Sequence, residues 1–310
     1  MSRHFIPVFS GGTGRSGTTV IANCLHRHPE FHTSMPREIR YLTDRAGLLD
    51  LNFGRPLAFE ASAREYLNRI FLKTYFLLGK NEKGVFKERM HKHWWSQVGK
   101  SGNPRGLVQA ITPDELDHAL IKFETNASED FLIASQNLYF DLSLAQLKGK
   151  SVRFFADSTP LNIQSADRIS MLLPDSLFIN MVRDGRDVAL SVSKEKWGPK
   201  TPESGLEWWK ARIEKSFLAL AKIPQGNHIT VRLEDFIVRE REETLHQILT
   251  FLDLSEHPNL RRYFDEFLSQ NKMSQGKWKS AVKNPQAFQN RYEQILDELN
   301  IKGISIAQYY

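Results

Sequence analysis

The chain has 310 residues, long enough to bury a sizeable core as one large domain or two small ones. Apolar residues make up 41% and charged residues 25%, an ordinary globular composition, and no apolar run approaches the ~18 residues that span a bilayer. The net charge of +6 comes without a like-charge block or basic tail, so nucleic acid is not a favoured partner, and the single cysteine, Cys24, excludes an internal disulfide.

The N-terminal "MSRHFIPVFSGG" enters a strand at once, from Phe5 to Ser10, and leaves no room for a signal peptide. With the lone cysteine, this predicts a cytoplasmic protein. The glycine-rich "GGTGRSGTT" follows, and then a helix over about Ser16–His28, with Val20, Ile21, Cys24 and Leu25 on one face. Pro29 stops it. "FHTSM", from Phe31, reads as a second strand. The segment from about Asp44 to Lys150 reads as mostly helical, with a capping-box start at Thr112-Pro113-Asp114-Glu115 and a basic, aromatic loop from Met90 to Gly106.

A strand–helix rhythm then returns. "SVRFFAD" and "SLFINMV" are strands, and "SADRISMLLP" and "DGRDVALSVSKEKW" are the helices that follow them. "GLEWWKARIEKSFLALAKIP" is a long amphipathic helix, "NHITVRL" a strand and "REREETLHQILTFLDL" a helix. The rest is helical and polar, with "MSQGKWKSAVKNP" as a loop. This alternation predicts an α/β fold, a parallel sheet flanked by helices in a three-layer sandwich. Ligands bind such sheets at the carboxyl ends of the strands. Weight therefore falls on the first loop, on Asp157–Pro160, on Arg183-Asp184 and on the region of Glu234.

The first loop fits the phosphate-loop pattern G-x-x-x-x-G-K-[ST] at Gly12, Gly17 and Thr19, but Thr18 stands in the lysine position. Its glycines and the helix start still form an anion nest, with Arg15 as the cation. The lost lysine argues against triphosphate hydrolysis; a purely structural turn is the bland alternative. Arg183 ends the strongest strand, and Ser191 lies two helical turns on. Together they can grip one phosphate, unless Arg183 only pairs with Asp184 or Asp187. Two separated anion sites on one sheet suit a ligand with two separated phosphate-like groups.

These residues resemble the sulfotransferases that use 3′-phosphoadenosine-5′-phosphosulfate (PAPS). "GTGRSGTT" is similar to their 5′-phosphosulfate loop, and "VRDGRDVALS" to their 3′-phosphate motif. "DSTPLNIQSADRISMLLPDSLFINMVRDGRD" and "ITVRLEDFIVREREETLHQILTFLDL" resemble later family segments, in family order. The flavour is that of tyrosylprotein and glycosaminoglycan sulfotransferases, whose loops also read "RSGTT". The resemblance implies a P-loop NTPase-like sulfotransferase fold. It implies a single domain over 1–310 with a helical, acceptor-binding insertion at about 44–150. Gly14, Arg15, Ser16, Gly17, Thr18 and Thr19 would surround the 5′-phosphosulfate, and Arg183 and Ser191 the 3′-phosphate. Glu38, in "SMPREIRYL", would be the general base, with Arg15 as its catalytic partner. Lys277, in "GKWK", would be a further cofactor contact. Several relatives carry a lysine where this chain has Ser158; Lys87, in "VFKERM", is a candidate substitute, with a solvated surface lysine as the bland alternative.

The expected reaction is in-line transfer of a sulfuryl group from PAPS to a hydroxyl or amine, leaving PAP (adenosine 3′,5′-bisphosphate), with no metal required. The acceptor would be a small molecule, lipid or carbohydrate. His91 and His93 are alternative bases, and with Lys92, Trp94, Trp95 and Arg105 they would suit an anionic or sugar-like acceptor. Two other readings stand beside this one. One is a P-loop kinase or NTPase with Asp157 as its magnesium aspartate; the other is a non-catalytic module that binds PAP or a glycan.

Overall fold

The computed structural model describes residues 5–54, 81–98, 102, 104–269 and 273–306. Residues 55–80 of the predicted helical segment and 99–101 and 103 of the predicted loop lie outside the described residues.

The sheet is built from short apolar runs whose side chains alternate between two cores. Strand β1 (Ile6–Gly12) sends Phe9 to one face and Val8 to the other. Strand β5 (Phe154–Asp157) does the same with Phe155 against Phe154 and Ala156, and β6 (Leu177–Val182) with Phe178 against Ile179 and Met181. With β2 (Phe31–Thr33) and β7 (His228–Arg232) they make a five-stranded parallel sheet in the order β2-β5-β1-β6-β7. A parallel sheet needs both faces covered. On one side lie α2 (Arg40–Thr43), α3 (Leu48–Phe53), α4 (Glu82–His91), α5 (Pro113–Asn126), α6 (Phe131–Leu147) and α7 (Ala166–Leu172). On the other lie α1 (Thr18–Leu25), α10 (Arg241–Phe251) and α11 (Pro258–Phe267). A third apolar cluster joins α8 (Gly185–Val192), α9 (Pro202–Leu220), α12 (Trp278–Ala281) and α13 (Pro285–Ile301). The expected three-layer α/β sandwich is the observed one.

The differences are local. Strand β1 runs two residues further than expected, because Gly11 and Gly12 still pair with Asn180 and Met181 of β6. Helix α1 is shorter than 16–28: its last turn tightens into i→i+3 bonds, Arg27 N–H to Cys24 O and His28 N–H to Leu25 O. The expected loop from Met90 instead closes α4, buries Trp94 and forms an antiparallel ladder of β3 (Gln97–Val98) with β4 (Pro104–Arg105). The capping box at Thr112 is present: its Oγ1 accepts from the Glu115 N–H at 3.2 Å, and Glu115 Oε2 accepts from the Thr112 N–H at 2.7 Å. No helix among the described residues is long and apolar enough to cross a membrane.

Candidate active site

The site assembles at the carboxyl ends of β2, β5, β1 and β6. Strand β1 gives way to the loop 13–17 and then to α1. Two glycines are dictated by contact. A Cβ on Gly12 would stand 2.3 Å from the Met181 carbonyl oxygen, and one on Gly17 (φ 96°) would stand 2.5 Å from Leu233 Cδ1. Gly17 starts α1 with no side-chain cap, so the first N–H groups of the helix remain available to an anion. Ser16 is fully buried, and its Oγ lies only 2.7 Å from where a Gly12 Cβ would be. That hydroxyl is tucked under the loop and has no hydrogen-bond partner.

Arg15 takes a left-handed backbone, φ 61°, which costs a non-glycine residue about 1 kcal/mol. Its half-exposed guanidinium donates from Nε to Ser191 Oγ at 2.9 Å, and Nη1 lies 3.8 Å from Glu195 Oε1. The first loop and the Arg183–Ser191 motif, whose bonded residues are 176 apart in sequence, are thus in direct contact. Arg183 completes the cluster. It leaves β6 buried, donates from Nη1 to the Arg15 carbonyl at 3.1 Å and from Nη2 to the Ser274 carbonyl.

The Asp184 carboxylate turns to Arg186, while the Arg183 charge acts on the Asp187 carboxyl and pulls it down against the lift of burial. Asp184 also caps α8, accepting from the Arg186 N–H at 2.9 Å, and its carboxylate holds the Arg186 guanidinium. Behind it lies Glu234, wholly buried, which accepts from the Asp184 N–H at 3.0 Å and from Arg232 Nε at 3.2 Å. Glu234 therefore anchors the start of the second motif. Burial lifts the Asp187 carboxyl above its ordinary value, against the opposing pull of the Gly276 N–H at 3.0 Å. That contact and the Ser274 carbonyl bring the segment 273–277 onto the Arg183 turn. Lys277 itself is exposed on that segment.

On the β2 and β5 side, Glu38 is exposed between two anchored backbone groups. The Arg37 carbonyl accepts from Ser158 N–H at 2.8 Å and from Ser158 Oγ at 3.0 Å, while the Ile39 N–H donates to Asp157 Oδ1 at 3.1 Å. Asp157 is fully buried and its oxygens are spent inside the fold. Oδ1 also accepts from Thr159 N–H at 2.9 Å and Thr159 Oγ1 at 2.7 Å, and Oδ2 accepts from Asn162 Nδ2 at 3.0 Å. Burial pushes its carboxyl up to about 6. At Asp157, the candidate magnesium aspartate, the groups met are donors from the Ile39 and Thr159–Asn162 turns, so this residue ties two turns together. Burial also raises the neighbouring Tyr41 and Tyr139 phenols.

Sequence reasoning missed the wall on α9. Its twin tryptophans diverge: Trp209 is fully buried, whereas Trp208 turns outward to Gly14, whose Cβ would lie 3.7 Å from Trp208 Cη2 and 3.8 Å from Pro160 Cβ. One turn on, Arg212 stacks on Trp208 at 4.1 Å and donates from Nη1 to the Thr13 carbonyl at 3.1 Å. Half-exposed Trp197 lies 6.1 Å from Trp208, ring centre to ring centre. The available signal was the i, i+4 spacing of Trp208 and Arg212.

The other candidates lie elsewhere. Lys87 Nζ is 2.8 Å from Glu124 Oε1 on the surface. His91 Nδ1 is 3.7 Å from Asp117 Oδ1, and His93 contacts Gln97 and approaches Asp44. Trp94 is buried, donating to Asp44 Oδ2 at 3.2 Å under the Arg89 guanidinium. That tryptophan is core, not an acceptor platform. Cys24 is buried, its thiol pushed up to about 12.

The sheet order and the strand–loop–helix units at Arg15 and Arg183 define a P-loop-like α/β protein. The Sulfotransferase family model matches residues 77–258, more than half of the chain, and the chain belongs to that family. The match contains Arg183 and Ser191 and begins after Arg15 and Glu38. Protein-tyrosine sulfotransferase 2 of Gallus gallus is 25% identical over 137 residues, 43% of this chain and 36% of that protein, so the chain matches little more than a third of that relative's length. The sulfotransferase domain of the Synechococcus PCC 7002 olefin synthase superposes with a TM-score of 0.50 at 16% identity, over 95% of this chain and 94% of that one. A sulfotransferase from Mycobacterium avium gives 0.48 at 13% identity, over 95% and 76%. At these identities the likeness to the olefin synthase domain is one of fold.

Proposed function

We propose that the chain is a sulfotransferase that takes its sulfuryl group from PAPS and delivers it to a hydroxyl or amine of a small-molecule, lipid or carbohydrate acceptor. The observation that carries this reading is the contact of Arg15 with Ser191, which makes one continuous anion site of the first loop and the Arg183 turn. The residues fit the donor. The uncapped start of α1, with Thr18 and Thr19, suits the 5′-phosphate, and Arg183 with Ser191 suits the 3′-phosphate. Gly14 leaves room for close approach, and Lys277 would close over the nucleotide. When bound, PAPS supplies an activated sulfuryl group.

The acceptor oxygen or nitrogen attacks sulfur while the bond from sulfur to the bridging phosphate oxygen breaks. Arg15 and the loop N–H groups stabilise the charge left on the departing phosphate. Glu38 takes the acceptor proton. Strand β2 lies two strands from β1, about 10 Å at ~4.8 Å per strand, which leaves room for the acceptor between Glu38 and the loop. Glu38 is exposed, so its basicity must rise when the acceptor covers it. The helices over 81–147 then supply part of the acceptor pocket, within a single domain.

An acceptor screen with labelled PAPS tests the reading. Wild type should transfer label in the presence of EDTA. Glu38→Gln should lose about 10²–10⁴-fold in kcat with PAP affinity unchanged. Magnesium-dependent turnover of ATP would show the kinase reading instead, and PAP binding with no transfer to any acceptor would leave a binding module.

A further inference from the structure

Among the described residues, few cations stand at the loop for the charge it would hold. Thr18 stands in the lysine slot and is buried. Ser158 spends its N–H and its hydroxyl on the Arg37 carbonyl, and Lys87 is paired with Glu124. The Arg37 guanidinium feels the Tyr263 phenol on α11 and the Arg27 charge beyond α1. Arg183 grips two backbone carbonyls, and Arg15 is shared between Ser191 and Glu195.

Arg212 is placed differently. Arg15 meets Ser191 and Glu195; Trp197, two residues beyond Glu195, lies 6.1 Å from Trp208; and Gly14 lies beside both Trp208 and Pro160. Trp208 and Arg212 stand against the loop itself, at Gly14 and at the Thr13 carbonyl. We propose that Arg212 is the cation that faces the sulfuryl group during transfer, held in place by Trp208 and the Thr13 carbonyl. This rests on the sulfotransferase reading above.

The chemistry suits a guanidinium. Stacked on an indole, it keeps its charge and presents N–H donors in its plane, a geometry that matches two oxygens of one sulfuryl group. Its stacking and its bond to Thr13 fix it before the donor arrives, so little ordering is left for the reaction itself. Arg212 exchanges no proton: the acceptor's proton goes to Glu38, and the electron pair of the broken S–O bond leaves on the phosphate.

The test needs no acceptor. PAPS and PAP are titrated separately by calorimetry into wild type, Arg212→Gln and Arg212→Lys, each checked for fold by circular dichroism. PAP has both phosphates and no sulfuryl group. Arg212→Gln should weaken PAPS at least tenfold while PAP shifts less than threefold, and Arg212→Lys should fall between. Equal weakening of both ligands would reduce Arg212 to a brace for the loop, and unchanged PAPS affinity would remove it from the site; either overturns the proposal. If Arg212→Gln does not fold, Arg212→Met, which keeps an apolar stem on Trp208, is held to the same ratio. A wild type that binds neither nucleotide overturns the sulfotransferase reading itself.

Discussion

Helix α1 begins at Gly17 without a side-chain cap, whereas α8 begins under Asp184, whose carboxylate accepts from the Arg186 N–H. Both helices follow central strands of the same sheet, β1 and β6, and both starts face the same cleft. At α1 the backbone start is left without a side-chain cap, the arrangement that an anion nest requires. At α8 the chain fills the helix start with its own carboxylate and offers side chains, Arg183 and Ser191, instead. An anion at the first unit would be held by main-chain N–H groups and helix charge; one at the second would be held by a fork and a hydroxyl. The two units should therefore fail in different ways.

The largest effect should come from Arg15, which belongs to both. Arg15→Ala removes the loop's cation and its bond to Ser191, and should lower kcat about 10²–10³-fold with the acceptor found by screening. A loss below threefold would place the developing charge elsewhere. Arg183→Ala should act mainly on binding. Losing a hydrogen-bonded charge of about 1.5–3 kcal/mol weakens PAP roughly ten- to a hundredfold. Adenosine 5′-phosphosulfate, which lacks the 3′-phosphate, should lose less. It should still lose something, because Arg183 also holds the Arg15 carbonyl. Equal losses by calorimetry would undo the 3′-phosphate assignment. Asp184→Ala should touch stability and spare the ligand. Loss of a cap costs about 1 kcal/mol, a fall in Tm of about 2 °C for a chain of this size, with PAP affinity within threefold. A PAP loss as large as that of Arg183→Ala would make Asp184 part of the site.

The layered fold was legible because strand runs such as "SLFINMV" and helix stripes such as Leu245, Ile248 and Leu249 carry their periods in the sequence. The placement of the two motifs proposed to bind anions was legible because each lies on one strand–turn–helix unit, where spacing alone sets position. What was hidden depends on long-range packing. Trp94 reads as a loop aromatic until Asp44 and Arg89, from other elements, close over it. Trp208 and Trp209 are adjacent and alike, and only the fold decides which meets the core and which meets Gly14. Ser158 reads as a missing lysine, yet its two bonds to the Arg37 carbonyl show what the serine does here. The role of Glu234 as the anchor behind Asp184 was likewise invisible, since fifty residues separate them.

Asp157 allows the smallest and cleanest test, because its titration can be separated from its geometry. Its folded carboxyl titrates at about 6, against about 3.9 for an unperturbed aspartate. Between those values the folded chain binds more protons than the unfolded one, so this residue's contribution to stability is full below pH ~4 and is lost as pH rises through ~6. The groups that face it are the Tyr41 and Tyr139 phenols, both neutral over that range, and the uncharged donors of Ile39, Thr159 and Asn162. Asp157→Asn keeps an oxygen for Ile39 and Thr159. Its new amide can donate to Asn162 Oδ1, which is buried without a partner, if the Asn162 amide turns over. The Glu38 turn should then stay in place while the titration disappears. The depressed carboxyls of Glu115, Glu242 and Glu298 give wild type an opposite slope at lower pH, so the quantity to read is the difference between the two proteins. Urea unfolding from pH 4 to 7 should show Asp157→Asn gaining on wild type as pH rises, by at most a few kcal/mol. A difference that does not change with pH would mean that the hydrogen bonds from Ile39, Thr159 and Asn162 hold the carboxylate ionised against its burial.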